Sequence, residues 1–195
     1  MKMPLYLLIL SLGLGLPGVA AAAWSGNLNA FLGGKALDKD DWNADEQAEI
    51  GVALDFRQPG WPFSIAADVH FTEGDFKGLA SLPGQGTGFL VEDVHTCDFN
   101  LGLRKYWEGI SNARPFLGGG LAYGQLEVER TLDGVTIQSD KGNGVGVWVG
   151  GGMLWSINAF NVGFDLRYTR IEVGLDAGDV ESGGGHAGLL VGYHW

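Results

Sequence analysis

Eight segments of this chain alternate apolar residues with small or polar ones, and a period of two restricts the fold more than any other feature present. A strand sends successive side chains to opposite faces, so each segment has one greasy side and one small or polar side. The cleanest covers residues 48–57, where Ala48, Ile50, Val52, Leu54 and Phe56 oppose Glu49, Gly51, Ala53, Asp55 and Arg57. The others are read at 26–34, 63–71, 92–106, 115–127, 144–155, 160–175 and 186–195. In the last, Ala187, Leu189, Val191, Tyr193 and Trp195 oppose His186, Gly188, Gly192 and His194. Such a strand at the end of a soluble sheet would be an adhesive edge. In a closed barrel it pairs with the first strand and the edge disappears.

After Ala23 no uninterrupted apolar run is long enough for a transmembrane helix, so any membrane span must be built from strands. Residues 1–23 read as a cleaved signal peptide, with Lys2, an apolar stretch from Leu5 to Leu16, and the small run Ala20 to Ala23. Residues 24–195 then form one domain. The formal charge of −11 argues against nucleic acid as a partner. Cys97 is the single cysteine, which excludes an intramolecular disulfide, and it takes the outward parity of its strand as a small hydrophobe.

The connections alternate in length. Residues 58–61, 108–114 and 156–159 are short, whereas 35–47, 72–91, 128–143 and 176–185 are longer and polar. Short turns at one end and long loops at the other are the expected layout of a bacterial outer-membrane barrel. Tryptophan placement agrees with it. Trp24, Trp61, Trp107, Trp155 and Trp195 all fall at the strand ends that the short turns define, joined by Phe63, Tyr106 and Phe160. Amphipathic rings favour the headgroup boundary, so these are expected to form the periplasmic aromatic girdle, with Phe71, Tyr123 and Tyr168 as a thinner outer one.

On this topology, girdle and terminal strand, the whole mature chain resembles the small bacterial outer-membrane β-barrel superfamily: the OmpA membrane domain, OmpX, OmpW and opacity-type proteins. The resemblance implies an all-β, eight-stranded antiparallel up-and-down transmembrane β-barrel in the outer membrane of a Gram-negative cell. It implies outer-membrane lipids and lipopolysaccharide as surroundings, the barrel assembly machinery as a partner in biogenesis, and a monomer. The aromatic at the chain's end resembles the recognition strand that such barrels present to that machinery.

The inward face is expected to carry Glu49, Asp55, Asp68, Asp98 and Asp165 with Arg57, Arg104 and Arg167, plus His70, His186 and His194. An isolated charge in a lumen is costly, so these should pair into a plug. Asp68 and Arg167, at similar heights on opposite strands, are expected to meet across it. The preferred function is a membrane scaffold displaying acidic external loops, with a narrow channel for small solutes as the alternative. The many inward glycines keep the channel in view, although eight strands leave a lumen that side chains can fill.

A lipid-modifying enzyme is the third reading, because Ser64, Asp68 and His70 share one strand face. Their spacing of ~7–13 Å along the strand exceeds the reach a nucleophile and base require, and no catalytic residue is assigned. No cofactor or metal site is assigned either. Asp41, Asn43 and Asp45 imitate the start of a calcium loop, but Glu46 replaces its glycine and Val52 its closing glutamate.

Overall fold

The computed structural model describes residues 24–37, 46–82, 86–108, 112–175 and 178–195. The expected signal peptide and the acidic segment 38–45 lie outside the described residues. The strands are β1 (Ser25–Leu37), β2 (Glu46–Arg57), β3 (Ser64–Leu82), β4 (Gly86–Tyr106), β5 (Ala113–Leu132), β6 (Val135–Ile157), β7 (Phe160–Leu175), β8 (Gly178–Glu181) and β9 (Gly184–His194). Sequence neighbours pair antiparallel from β1 through β7, and β9 closes the ring between β7 and β1. At the rim of the short turns, Gly26 and Trp195 exchange both backbone hydrogen bonds, each 3.1 Å long.

The ring has eight members, because β8 and β9 act as one strand. Glu172 faces Glu181 and Thr169 faces Gly184, which is a single register along β7. The Ser182 N–H donates to the Ile171 carbonyl (3.0 Å) and carries the ladder across the join.

Register also fixes the stagger. From Leu32 one ladder path runs through Ile50, Phe71, Cys97, Gln125 and Asn143 to Gly174, and the opposite path runs through Leu189 to Phe164. The two ends differ by ten positions on β7. A closed eight-stranded sheet with that shear must tilt its strands by about 40°.

The expected long connections are corrected. Residues 72–91 and 128–143 are mostly strand, as β3 and β4 pair up to Leu82–Gly86 and β5 and β6 up to Leu132–Val135. Much of 176–185 is also strand, being β8 and the start of β9. The β5–β6 connection is the two-residue turn Asp133-Gly134, with φ of 47° and 82°. Positive φ at both centres is the primed turn whose twist matches flanking strands, and glycine takes it at no steric cost. The Asp-Gly pair is the sequence signal for this hairpin.

The outward face has two zones. Near the short turns it is an apolar belt including Leu32, Ile50, Leu101, Leu121, Val145, Val149, Leu166 and Leu189. Farther out it carries Glu73, Asp75, Asp93, His95, Glu127, Glu129, Arg170 and Glu172. The interior changes in the opposite sense. A polar network interleaved with the apolar cluster of Phe31, Phe116, Leu154 and Leu190 fills it behind the belt. Leu37, Val94, Leu126, Val128, Ile171 and Val173, beside buried Glu92 and its partner Arg130, fill it behind the charged wall.

Candidate functional site

Behind the belt, the inward parity of seven strands brings one polar network together. At its base Asp55 accepts from Asn27 Nδ2 (2.8 Å), the Tyr106 hydroxyl (2.6 Å) and Arg104 Nη1 (3.3 Å). Arg114 donates to Asn27 and Asn161 at 2.9 and 3.2 Å. Above it, Asp68 Oδ2 lies 2.8 Å from both Arg104 Nη2 and Arg167 Nη2, so the pair expected to meet across the lumen is in direct contact. Arg167 Nε lies 3.5 Å from Asp165. All of these charged groups except Arg114 are buried.

Trp148 caps this layer. Its ring lies 5.0 Å from the Arg167 guanidinium and 6.0 Å from that of Arg104, while Phe116 sits 5.2 Å from Arg104 on another side. The indole crosses β5 to donate to the Leu101 carbonyl on β4 (3.4 Å). Crossing requires a bare strand beneath the ring: a Cβ on Gly118 would lie 2.9 Å from Trp148. That inward glycine therefore makes room for an aromatic rather than for solvent.

The next layer centres on Glu49. His186 Nδ1 lies 2.9 and 3.0 Å from its two oxygens, and His70 Nδ1 is 2.8 Å away, off the line of a good hydrogen bond. On the far side of each ring, His70 Nε2 receives Arg167 Nη1 (2.8 Å) and His186 Nε2 receives the Thr169 hydroxyl (2.9 Å). Arginine has no lone pair to offer, so His70 Nε2 must accept and the proton sits on Nδ1, facing Glu49. Gly51 leaves space for that histidine, since a Cβ there would lie 2.8 Å from its Nδ1.

Lys35 completes the network, a role the sequence reading missed by placing it in a loop. It is 2% exposed and donates to Asp98 Oδ2 (2.8 Å) and Thr96 (3.2 Å). Thr96, Thr72 and Gln47 continue the chain at 2.6 Å per step. Continuing the first strand's parity from Asn27 and Asn29 to Lys35 would have found it.

Three expected placements need correcting. Arg57 is exposed at the short-turn rim, 3.4 Å from the Ser25 hydroxyl, because its strand ends there; it is outside the buried network. His194, one residue from the chain's end, is half-buried at the same mouth. Tyr106 follows the parity of Arg104 and points inward to Asp55 instead of joining the rim aromatics.

Trp24, Trp61, Trp107, Trp155 and Trp195 are 38–42% exposed at the short-turn end. Trp24 packs edge-on to Trp61 (5.8 Å) and Tyr193 stacks with Trp195 (6.4 Å). Asp68 and His70 have separate engagements, as the arginines hold Asp68, and Glu49 and Arg167 flank His70, while Ser64 is buried farther down the same strand face. Cys97 is half-buried at the upper edge of the belt. The calcium-like residues Asp41, Asn43 and Asp45 lie outside the described residues.

No protein-family model matches the sequence, and no curated protein matches it. Solved structures do match. The outer membrane protein OprG from Pseudomonas aeruginosa is 14% identical, with 89% of this chain and 96% of that one covered at a TM-score of 0.61. A major outer membrane protein from Thermus thermophilus is 15% identical, covering 89% and 100%, at 0.60. Ail, the attachment invasion locus protein of Yersinia pestis, solved in complex with the heparin analogue sucrose octasulfate, is 12% identical, covering 89% and 99%, at 0.57. The fold is that of the small outer-membrane β-barrels.

Proposed function

We propose that the protein resides in the outer membrane as a closed pedestal that presents an acidic β-sheet wall to the exterior. The observation that carries this reading is the lumen's filling: Asp68 bridges Arg104 and Arg167 beneath Trp148. A solute crossing it would have to separate buried ion pairs, which costs several kcal/mol for each stranded charge. The apolar packing of Leu126, Val128, Ile171 and Val173 backs the same plug from outside. The tryptophan rim serves as the periplasmic girdle, and lipid with lipopolysaccharide surrounds the belt. The chain works as a monomer, inserted by the barrel assembly machinery, and no catalytic role is assigned to any residue.

Ail was solved with a polyanion, and the wall here has the opposite preference: its carboxylates would repel such a ligand. The competing function is a narrow channel. Planar-bilayer recording of the refolded full chain separates the two. Baseline current with only brief fluctuations is expected, while long-lived, uniform conductance steps would establish the channel instead. Replacing Trp148 with alanine removes the cap over both arginines and is expected to make the barrel leakier than the wild type.

A further inference from the structure

We propose that the outer face of β3, β4 and β5 beyond the apolar belt is a docking surface for a cationic polypeptide segment that also carries apolar side chains. The proposal rests on the pedestal reading, which turns this end of the barrel to the exterior. Two carboxylate-bearing rows cross the face in direct register: Glu73 beside His95 beside Glu127, then Asp75 beside Asp93 beside Glu129. Like charges placed directly opposite each other on a sheet destabilise it. Five carboxylates share the face with two lysines: Lys77 binds Asp75 at 2.6 Å, which raises its own pKa, and Lys141 reaches Glu127 at 3.5 Å. The excess of negative charge fits a partner bearing lysine or arginine.

Beyond the charged rows the same face becomes apolar. Leu79 and Phe89 stand opposite each other, 79% and 48% exposed, with Val135 on the adjoining hairpin 65% exposed. The β5–β6 turn is latched to β4 at Phe89, which joins the two hairpins into one platform. Asp133 accepts from the Phe89 N–H through its side chain and donates its own N–H to the Phe89 carbonyl, both at 2.9 Å. A single exposed leucine is ordinary, but an apolar platform fixed above rows of carboxylates is a two-part recognition surface. A second copy of the chain is a poor occupant, since it would set carboxylates against carboxylates. Lipid phosphate meets the same repulsion.

The test uses the full chain refolded in zwitterionic nanodiscs and a fluorescent octapeptide of alternating lysine and leucine, with empty nanodiscs as the blank. Saturable binding is expected. It should weaken at least tenfold in D75N/D93N/E129Q and in L79S/F89S. It should stay within threefold of wild type in the charge-matched control E172Q/D179N/E181Q, which alters the β7–β8 wall. No binding above the blank, or equal loss in both charge triples, would overturn the proposal. So would calcium-dependent capture of lipopolysaccharide vesicles by the wild type but not D75N/D93N/E129Q, together with no peptide binding. Heat-modifiable gel migration, read on the same samples, separates the two levels: its absence in the wild type would remove the pedestal, while its presence with no peptide binding would remove only the docking surface.

Discussion

Tyr123 and Leu126 lie on the same strand, β5, and face opposite solvents. Tyr123 points outward at the top of the apolar belt, and Leu126 points inward into an apolar plug. Between them the barrel inverts. Below, outward residues are apolar and the lumen holds the buried network of ion pairs; above, the wall is charged and the lumen is mainly apolar, with buried Glu92 paired to Arg130. Other strands make the same change, β4 between Phe99 outward and Val94 inward, and β7 between Tyr168 and Ile171. The lower zone is held by buried ion pairs packed against the small apolar cluster of Phe31, Phe116, Leu154 and Leu190. The upper zone has water outside, so burying Leu126 or Val128 is favourable there as in any soluble domain.

Mutations that treat the zones alike should therefore give unlike results. The largest effect is expected from Asp68→Ala, which leaves Arg104 and Arg167 without their shared carboxylate. Breaking a buried pair from one side costs about 3–5 kcal/mol, readable in urea unfolding of the lipid-embedded protein. In the upper zone Leu126→Ala should cost about 3 kcal/mol through lost burial and a residual cavity, without loosening the belt's protection from protease. An outward arginine sharpens the boundary further. Leu101→Arg should cost about 2 kcal/mol against lipid, whereas Gln125→Arg on the wall side should stay within about 0.5 kcal/mol of wild type. Equal costs at positions 101 and 125 would mean that the two zones share one solvent.

The same inversion explains which parts of the molecule are legible in the sequence. Ala48 to Phe56 stays in the lower zone, so its alternation keeps one phase and marks the strand. On β3 the apolar phase shifts after Phe71: Glu73 and Asp75 take the outward positions and Phe76 the inward side. A pattern that assumes one solvent reads this shift as the strand's end and turns residues 72–91 into a loop. Lys35 escapes notice for a related reason, since a charged residue beside a polar stretch reads as loop unless the first strand's parity is carried on to it. Apart from Arg57, whose strand ends at the rim, the expected acidic and basic lumen positions follow from parity alone. Their partners do not, because the stagger that brings Asp68 to Arg167 depends on register.

Accessibility of spin labels measures most directly whether the outward face passes from lipid to water within one strand. With Cys97 replaced by serine, single labels would be placed at 117, 121, 123, 125, 127 and 129 on β5 in lipid bilayers. Collision with oxygen should dominate at 117, 121 and 123, and collision with a water-soluble nickel chelate at 127 and 129, with the crossover near Gln125. Nickel access at 121, or oxygen preference persisting to 129, would contradict the inversion and the membrane placement derived from it.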